Sequence, residues 1–262
     1  MAGAGDVPGQ AASEARRQGW QVVAFTVGGE GAGLAAYADE VVPVDLTEMQ
    51  SALQALAARA PTAAVFCGKF WKQEAFARVR EADPAALHLI GAGFGDIPLR
   101  RMVVTVLEGM GIEVLDQRQF LAPWLMSALT LTGREPSSAE WTEVRAALRV
   151  ARTLAALDVG QTVVQARGVT VAVEAMEGTD ETIRRGTRLA GPGAVVVKAI
   201  GADNDYRFDV PAIGPSTLAA AAEGRAAVLA VERGRVMLVD REDVIRRARE
   251  AGIALIGVDG DG

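Results

Sequence analysis

An α/β protein of two domains is what this sequence predicts, and three observations predict it. Short apolar, β-branched runs alternate with helix-period segments along the first half; glycines and prolines punctuate those runs; and a polar stretch, TLTGREPSS (Thr130 to Ser138), divides the chain near its middle. Strands that alternate with helices build a mostly parallel sheet covered on both faces. We therefore expect a Rossmann-like N-terminal domain over residues 1–130. A C-terminal mixed α/β domain with antiparallel elements is expected over residues 131–262.

Each element has its own signal. The opening MAGAGDVPGQ reads as a glycine turn leading into a helix that carries Ala11 to Arg17; the strand expected before it is curtailed. QVVAFTV (Gln21 to Val27), EVVPVDL (Glu40 to Leu46) and TAAVFCG (Thr62 to Gly68) read as buried strands. Between them, MQSALQALAARA (Met49 to Ala60) sets Leu53, Leu56 and Ala57 on one helical face. LRRMVVTVLEGMG (Leu99 to Gly111) is a helix ending in glycine, followed by the strand IEVLD (Ile112 to Asp116).

Beyond the linker, Ser138 is positioned to cap a helix in which Trp141, Val144, Leu148, Ala151 and Leu154 recur at helical spacing. TVVQARGVTVAVEAM (Thr162 to Met176) reads as a hairpin turning at Arg167 and Gly168, and AVVVKAI (Ala194 to Ile200) as a strand. AAVLAVERGRVMLVD (Ala226 to Asp240) reads as a second hairpin turning at Arg233 and Gly234. A helix and the strand IALIGV (Ile253 to Val258) finish the chain.

Composition narrows the function classes. The chain has 262 residues, half of them apolar, and a formal charge of −6, so it folds around a core and lacks a general electrostatic grip on nucleic acid. A single cysteine, Cys67, excludes an intrachain disulfide and a multi-cysteine metal site. The single histidine, His88, sits in the apolar run AALHLIGAG and reads as a core or strand-edge residue, and catalysis cannot rest on a pair of imidazoles. No basic n-region precedes an apolar h-region, and no apolar run approaches the roughly 20 residues that span a bilayer. We expect a cytoplasmic protein.

The chemistry concentrates between Val173 and Pro215. EGTDETIRR (Glu177 to Arg185) and DYRFDVPAIGP (Asp205 to Pro215) are acidic, glycine-flanked runs joined by an apolar segment that ends in Lys198. Carboxylates, cations and glycines in such proximity are what metal-assisted attack on a phosphate ester requires. Thr179 is positioned as an N-cap, with Asp180 and Glu181 in the first turn, where the helix dipole alone favours acids by roughly 0.3–1 kcal/mol each. Asp205, Arg207 and Asp209 alternate, so an extended segment would set all three on one face, as either a salt-bridged strip or a metal and phosphate site.

These motifs resemble a known family, the LpxI-type UDP-2,3-diacylglucosamine pyrophosphatases of lipid A biosynthesis. The resemblance runs over nearly the whole chain. It is carried by Gly95 and Asp96, LDVGQTVV (Leu157 to Val164), VAVEAMEGTDETIRR (Val171 to Arg185), VVKA (Val196 to Ala199), DYRFDVPAIGP and the REDVIRRAREAGIALIGV ending.

The resemblance implies Mg²⁺-dependent (or Mn²⁺-dependent) hydrolysis of the pyrophosphate of UDP-2,3-diacylglucosamine, in a cleft between the domains, giving UMP and the diacylated sugar phosphate. It implies Asp209 as the essential aspartate, with Asp180 and Asp205 as further catalytic positions. The same three carboxylates are the metal ligands in this reading. Gly178, Thr179, Lys198, Arg207, Gln161 and Asp96 are the expected substrate-binding residues. It also implies a homodimer, a UDP-linked acylated sugar as partner, and peripheral contact with the inner-membrane surface through that lipid, for which FLAPWLMSALTL (Phe120 to Leu131) is the acyl-contact candidate or an interdomain packing segment.

The sequence also departs from the family. GADND (Gly201 to Asp205) stands where KPGQD is usual, and Ile97 follows Asp96 where a second aspartate is common. Two alternatives follow: a homologue that binds a nucleotide sugar or acyl lipid without hydrolysing it, and a hydrolase of another nucleotide-linked substrate. An NAD-dependent oxidoreductase is a weak third reading, because no complete GxGxxG follows a strand and Asp45 is the only ribose partner on offer.

Overall fold

The computed structural model describes residues 1–3, 5–27, 30–44, 49–68 and 96–259. It is a mixed α/β protein that divides into two units, one of Met1–Leu121 with Asp205–Asp209, the other of Ala122–Asn204 with Val210–Gly262. His88, Gly95 and Asp45 lie outside the described residues.

In the first unit, helix α1 (Val7–Arg17) carries proline in its first turn, where a missing N–H costs nothing, and buries Pro8, Gly9, Ala11, Ala12 and Glu14. Strand β1 (Val23–Val27) pairs in parallel with β2 (Glu40–Val44), and β3 (Ala63–Ala64) with β4 (Glu113–Val114). Ala2 makes parallel bridges to both Thr26 and Cys67. Gly68 has φ +98°, and a Cβ there would stand 2.8 Å from the Gly3 carbonyl, so the close approach of these two segments requires glycine. A 3-10 helix (Glu30–Ala36) and helices α2 (Met49–Ala57), α3 (Asp96–Gly109) and α4 (Arg118–Leu121) are the other described elements. Val104 and Leu107 of α3 bury against Ile112 and Val114, with Phe66 and Phe208 packed beside them.

The second unit is a three-layer sandwich. Helix α5 is Ser138–Ala156; strands β5 (Thr162–Ala166) and β6 (Val169–Val173) form the predicted hairpin, with Arg167 at φ 52° and Gly168 at φ +77° in its two-residue turn. Then come α6 (Thr179–Ala190), β7 (Val195–Lys198), β8 (Ala212–Ile213), α7 (Pro215–Glu223), β9 (Val228–Glu232), β10 (Met237–Leu238), α8 (Arg241–Glu250) and β11 (Ala254–Val258). The central sheet runs β11-β9-β7-β5-β6, with β7 parallel to β9, β9 parallel to β11, and β5 antiparallel to both neighbours. Successive residues point to opposite faces, and the cores follow. Val195, Val197, Val228 and Ala230 pack with Val144, Leu148 and Ala151 of α5. Val196, Leu229 and Leu255 pack with Ile183 of α6, Leu218 of α7 and Val244 of α8.

Three local expectations are corrected. Ser137, not Ser138, caps α5, because Glu140 three residues on completes a reciprocal capping box with Ser137. No hairpin forms at Arg233 and Gly234: β9 is flanked by β7 and β11, and β10 pairs with β8 in a separate two-stranded sheet. The turn amides go elsewhere, Arg233 N–H to the Val258 carbonyl at 2.9 Å and Gly234 N–H to that of Met126 at 2.7 Å. Residues 205–209 are a turn rather than an extended segment, for the reason given below.

Candidate active site

Five of the expected residues gather in the second unit, where β7 ends and α6 begins. Gly178, at φ +81°, is the N-cap residue of α6, and it has no side chain to satisfy the first-turn amides. Thr179 is therefore the first helical residue rather than the cap, and its hydroxyl is engaged elsewhere. Lys198 Nζ donates to Thr179 Oγ1 at 2.7 Å, and Thr179 Oγ1 donates to Glu174 Oε1 at 3.0 Å. The backbone N–H of Gln161 donates to Glu174 Oε2 at 3.2 Å.

Lys198 is only 5% exposed. An ammonium so placed needs a nearby anion, and Glu174 supplies it. Burial works against ionisation of Glu174, but the Lys198 charge and the hydrogen bonds from Thr162, Thr179 and Gln161 outweigh it and hold the carboxyl below its ordinary range. Asp180, half-buried in the first turn, accepts from Thr217 Oγ1 at 2.8 Å, a bond that ties α6 to the start of α7. Glu181 is exposed and pairs with Arg184 at 2.5 Å, the ordinary surface arrangement for a helix.

The remaining described residues belong to the first unit. Asp205 folds its own loop: its Oδ1 accepts the Arg207 backbone N–H at 3.1 Å, while its carbonyl accepts Phe208 N–H at 3.1 Å and Asp209 N–H at 3.3 Å. That self-bonding is why Asp205, Arg207 and Asp209 do not alternate along a strand. The Arg207 guanidinium grips Asp205 through two bonds, of 2.9 and 2.8 Å, and lowers its carboxyl pKa. Gln117 N–H holds the Tyr206 carbonyl at 3.0 Å, and Arg118, itself paired with Asp116 at 2.6 Å, lies 3.7 Å from the Tyr206 ring centroid. The Phe208 ring stacks 5.1 Å from Phe66. Asp209 is half-buried at the end of this turn, and Asp96 opens α3.

The expected ligands Asp180, Asp205 and Asp209 are thus divided, one in the second unit and two in the first. Within neither unit, among the described residues, do three His, Cys, Asp or Glu side chains form a group able to hold a metal ion.

Comparison with known proteins bears on both halves of the chain. Residues 1–124 match the family described as the LpxI N-terminal domain, and residues 127–256 match the LpxI C-terminal domain. The chain belongs to the LpxI family. Among curated proteins, the UDP-2,3-diacylglucosamine pyrophosphatase LpxI of Caulobacter vibrioides is 34% identical over 181 residues, covering 65% of this chain and 64% of the relative. Among solved structures, an Acinetobacter baumannii RibD in its form 2 shares 12% identity over 46% of this chain and 35% of its own, with a TM-score of 0.28, too slight a likeness to argue from.

For an LpxI chain, then, sequence reasoning named Gly178, Thr179, Asp180 and Lys198 among its site residues but passed over Glu174. Its only sequence signal is an acid directly after a strand, four residues before the glycine that opens the next helix. Among the described residues no helix of this LpxI chain is long and apolar enough to cross a membrane.

Proposed function

We propose that this LpxI chain hydrolyses the pyrophosphate of UDP-2,3-diacylglucosamine, releasing UMP and 2,3-diacylglucosamine 1-phosphate. The reading rests on the relative's activity and on one observation: a buried lysine, poised by Thr179 and Glu174, beside a helix N-terminus whose amides have no side-chain cap. Such an end attracts phosphate by its dipole and its N–H groups, and Lys198 adds a full charge beside it. Substrate phosphate oxygens would take over the Lys198 donor now given to Thr179. Asp209, at the end of its turn, is the residue that orients the attacking water, and Arg207 is the cation held ready for a phosphate oxygen.

Mg²⁺ or Mn²⁺ fits this donor set in a limited way. Mg²⁺ takes oxygen ligands and needs only one or two carboxylates beside substrate phosphates, and Asp180 in the second unit offers one such carboxylate. Asp205 does not fit as a ligand, since both of its oxygens are held by Arg207; we assign it the folding of the turn. When bound, the ion would neutralise pyrophosphate charge and acidify water.

We also read the first unit as Rossmann-like. What supports this reading is that β1 pairs in parallel with β2 and β3 with β4, while Ala2 bridges in parallel to Thr26 and Cys67, among the described residues. A homodimer, contact with an inner-membrane surface through the acylated substrate and a cytoplasmic location complete the reading; of Phe120 to Leu131, Phe120, Leu121 and Met126 are buried as packing residues, which leaves exposed ones such as Leu129 for acyl contact.

The test is UMP release from UDP-2,3-diacylglucosamine with Mg²⁺, and with EDTA in its place. Hydrolysis that EDTA abolishes supports the proposal; binding without hydrolysis sinks it in favour of a non-hydrolysing homologue. Asp209→Ala should lower turnover at least about a hundredfold with its melting temperature unchanged, and near-normal turnover would remove Asp209 from its role.

A further inference from the structure

A carboxylate buried without any exposure closes β9, outside the site described above. Glu232, the last residue of β9, is 0% exposed and stands between two arginines. Arg152 of α5 donates through Nε to Glu232 Oε1 at 2.8 Å, and Arg235 approaches Oε2 at 3.5 Å. The remaining acceptor capacity of Glu232 is spent on backbone: the Ile200 N–H donates to Oε2 at 2.6 Å. Arg235 also donates to the same stretch, to the Ile200 carbonyl at 3.4 Å and the Gly201 carbonyl at 2.5 Å. Gly201 is held from the other side as well, for a Cβ there would lie 3.1 Å from the Ala156 nitrogen and 3.2 Å from the Ala155 carbonyl at the end of α5.

Burying a glutamate between guanidinium groups is costly, and an apolar pair of the same volume would stabilise the core as well or better. What this arrangement supplies is a fixed location for two backbone carbonyls and one amide just past the end of β7. Their position in the chain matters. The chain leaves the second unit after Asn204 and returns at Val210, so Ile200 and Gly201 are the launch point of the turn that carries Asp205, Arg207 and Asp209. The return is fixed too, by the Met237 N–H on the Pro211 carbonyl at 2.8 Å and by the pairing of β8 with β10.

We propose that Glu232, with Arg152 and Arg235, is a positioning clamp that fixes the chain at Ile200 and Gly201, where the segment leading to the 205–209 turn begins. It deepens the proposed hydrolase reading and rests on it for its kinetic arm alone. None of the three touches substrate in this proposal; they act through the chain they hold.

Arg235→Met tests the clamp with the Glu232–Arg152 pair left in place, and Glu232→Gln tests it by removing the charge while keeping an acceptor. Backbone amide exchange is read in both. The expected result is exchange faster by about tenfold or more over residues 200–210, with β5 and β9 protected as in the parent protein. In the hydrolysis assay, Arg235→Met should lose about a hundredfold in kcat, as a misplacement of about an ångström would cause, with KM moved far less. Unchanged exchange over 200–210, or a rise shared equally by β5 and β9, overturns the clamp. A parent protein that hydrolyses nothing would sink the hydrolase reading, while the exchange result would still decide the clamp.

Discussion

Lys198 and Glu174 show how a single residue's burial dictates what must surround it. The lysine terminates a fully buried strand, so its charge has to be answered inside the protein, and Thr179 stands as the hydrogen-bonding bridge between cation and anion. Removing the anion should therefore hurt more than removing a surface acid. Glu174→Gln should cost about 1–3 kcal/mol in urea unfolding, whereas Glu181→Gln, on the exposed face of α6, should stay within about 0.5 kcal/mol. Equal effects would mean that Glu174 does not compensate Lys198. Cys67 offers a second check, since burial pushes its thiol up to about 12. A thiol reagent near neutral pH should label it only on unfolding; rapid labelling of the folded protein would contradict its burial. At this scale the sequence was partly legible. The glycine and acids of EGTD announced a site, but nothing local distinguished Glu174 from a turn residue, because its role depends on a lysine 24 positions away.

Elements were easiest to read where periodicity and punctuation agreed. The stripe on α5 and the Arg167–Gly168 hairpin were legible because each is set by neighbours within a few residues. The supposed Arg233–Gly234 hairpin carried the same punctuation and failed, since β9 is shared between β7 and β11, a competition that local sequence does not record. Packing between elements makes its own prediction. Gly186 of α6 lies so close to the sheet that a Cβ would meet Val164 at 2.6 Å and Ala172 at 2.9 Å. Gly186→Ala should therefore destabilise by about 1–3 kcal/mol despite alanine's better helix propensity, and a stabilised variant in thermal unfolding would show that the helix can move aside. Ser137→Ala, which opens the capping box of α5, should cost about 1 kcal/mol in the same measurement.

Across the whole molecule, paired carboxylates set the response to acid. Glu174 beside Lys198, Asp205 under Arg207 and Asp116 under Arg118 all have pKa values lowered by folding, from ordinary values of 4.5, 3.8 and 3.8. Each binds a proton less readily folded than unfolded, so its contribution is complete above its ordinary value and is lost as the pH falls below it toward the lowered one. The melting temperature should hold steady from about pH 7 to about pH 5 and then fall toward about pH 3. A flat profile through that range would show that these pairs add nothing to stability; Asp205 and Asp116, partly open to solvent, contribute less than Glu174.

The sequence by itself determined the α/β class, most of the elements and the family, because periodicity, turn residues and contiguous motifs are local properties of a chain. It also named Gly178, Thr179 and Asp180 at one helix start, because they are contiguous, whereas Lys198 reaches that start only because α6 and β7 fold back on each other. Only the tertiary structure decided that Glu174 answers Lys198, that β9 and β10 part company, that Asp205 folds its own turn, and that residues 205–209 join the first unit. Each of these is a choice among partners far apart in sequence, settled by which buried charges and backbone groups can all be satisfied at once.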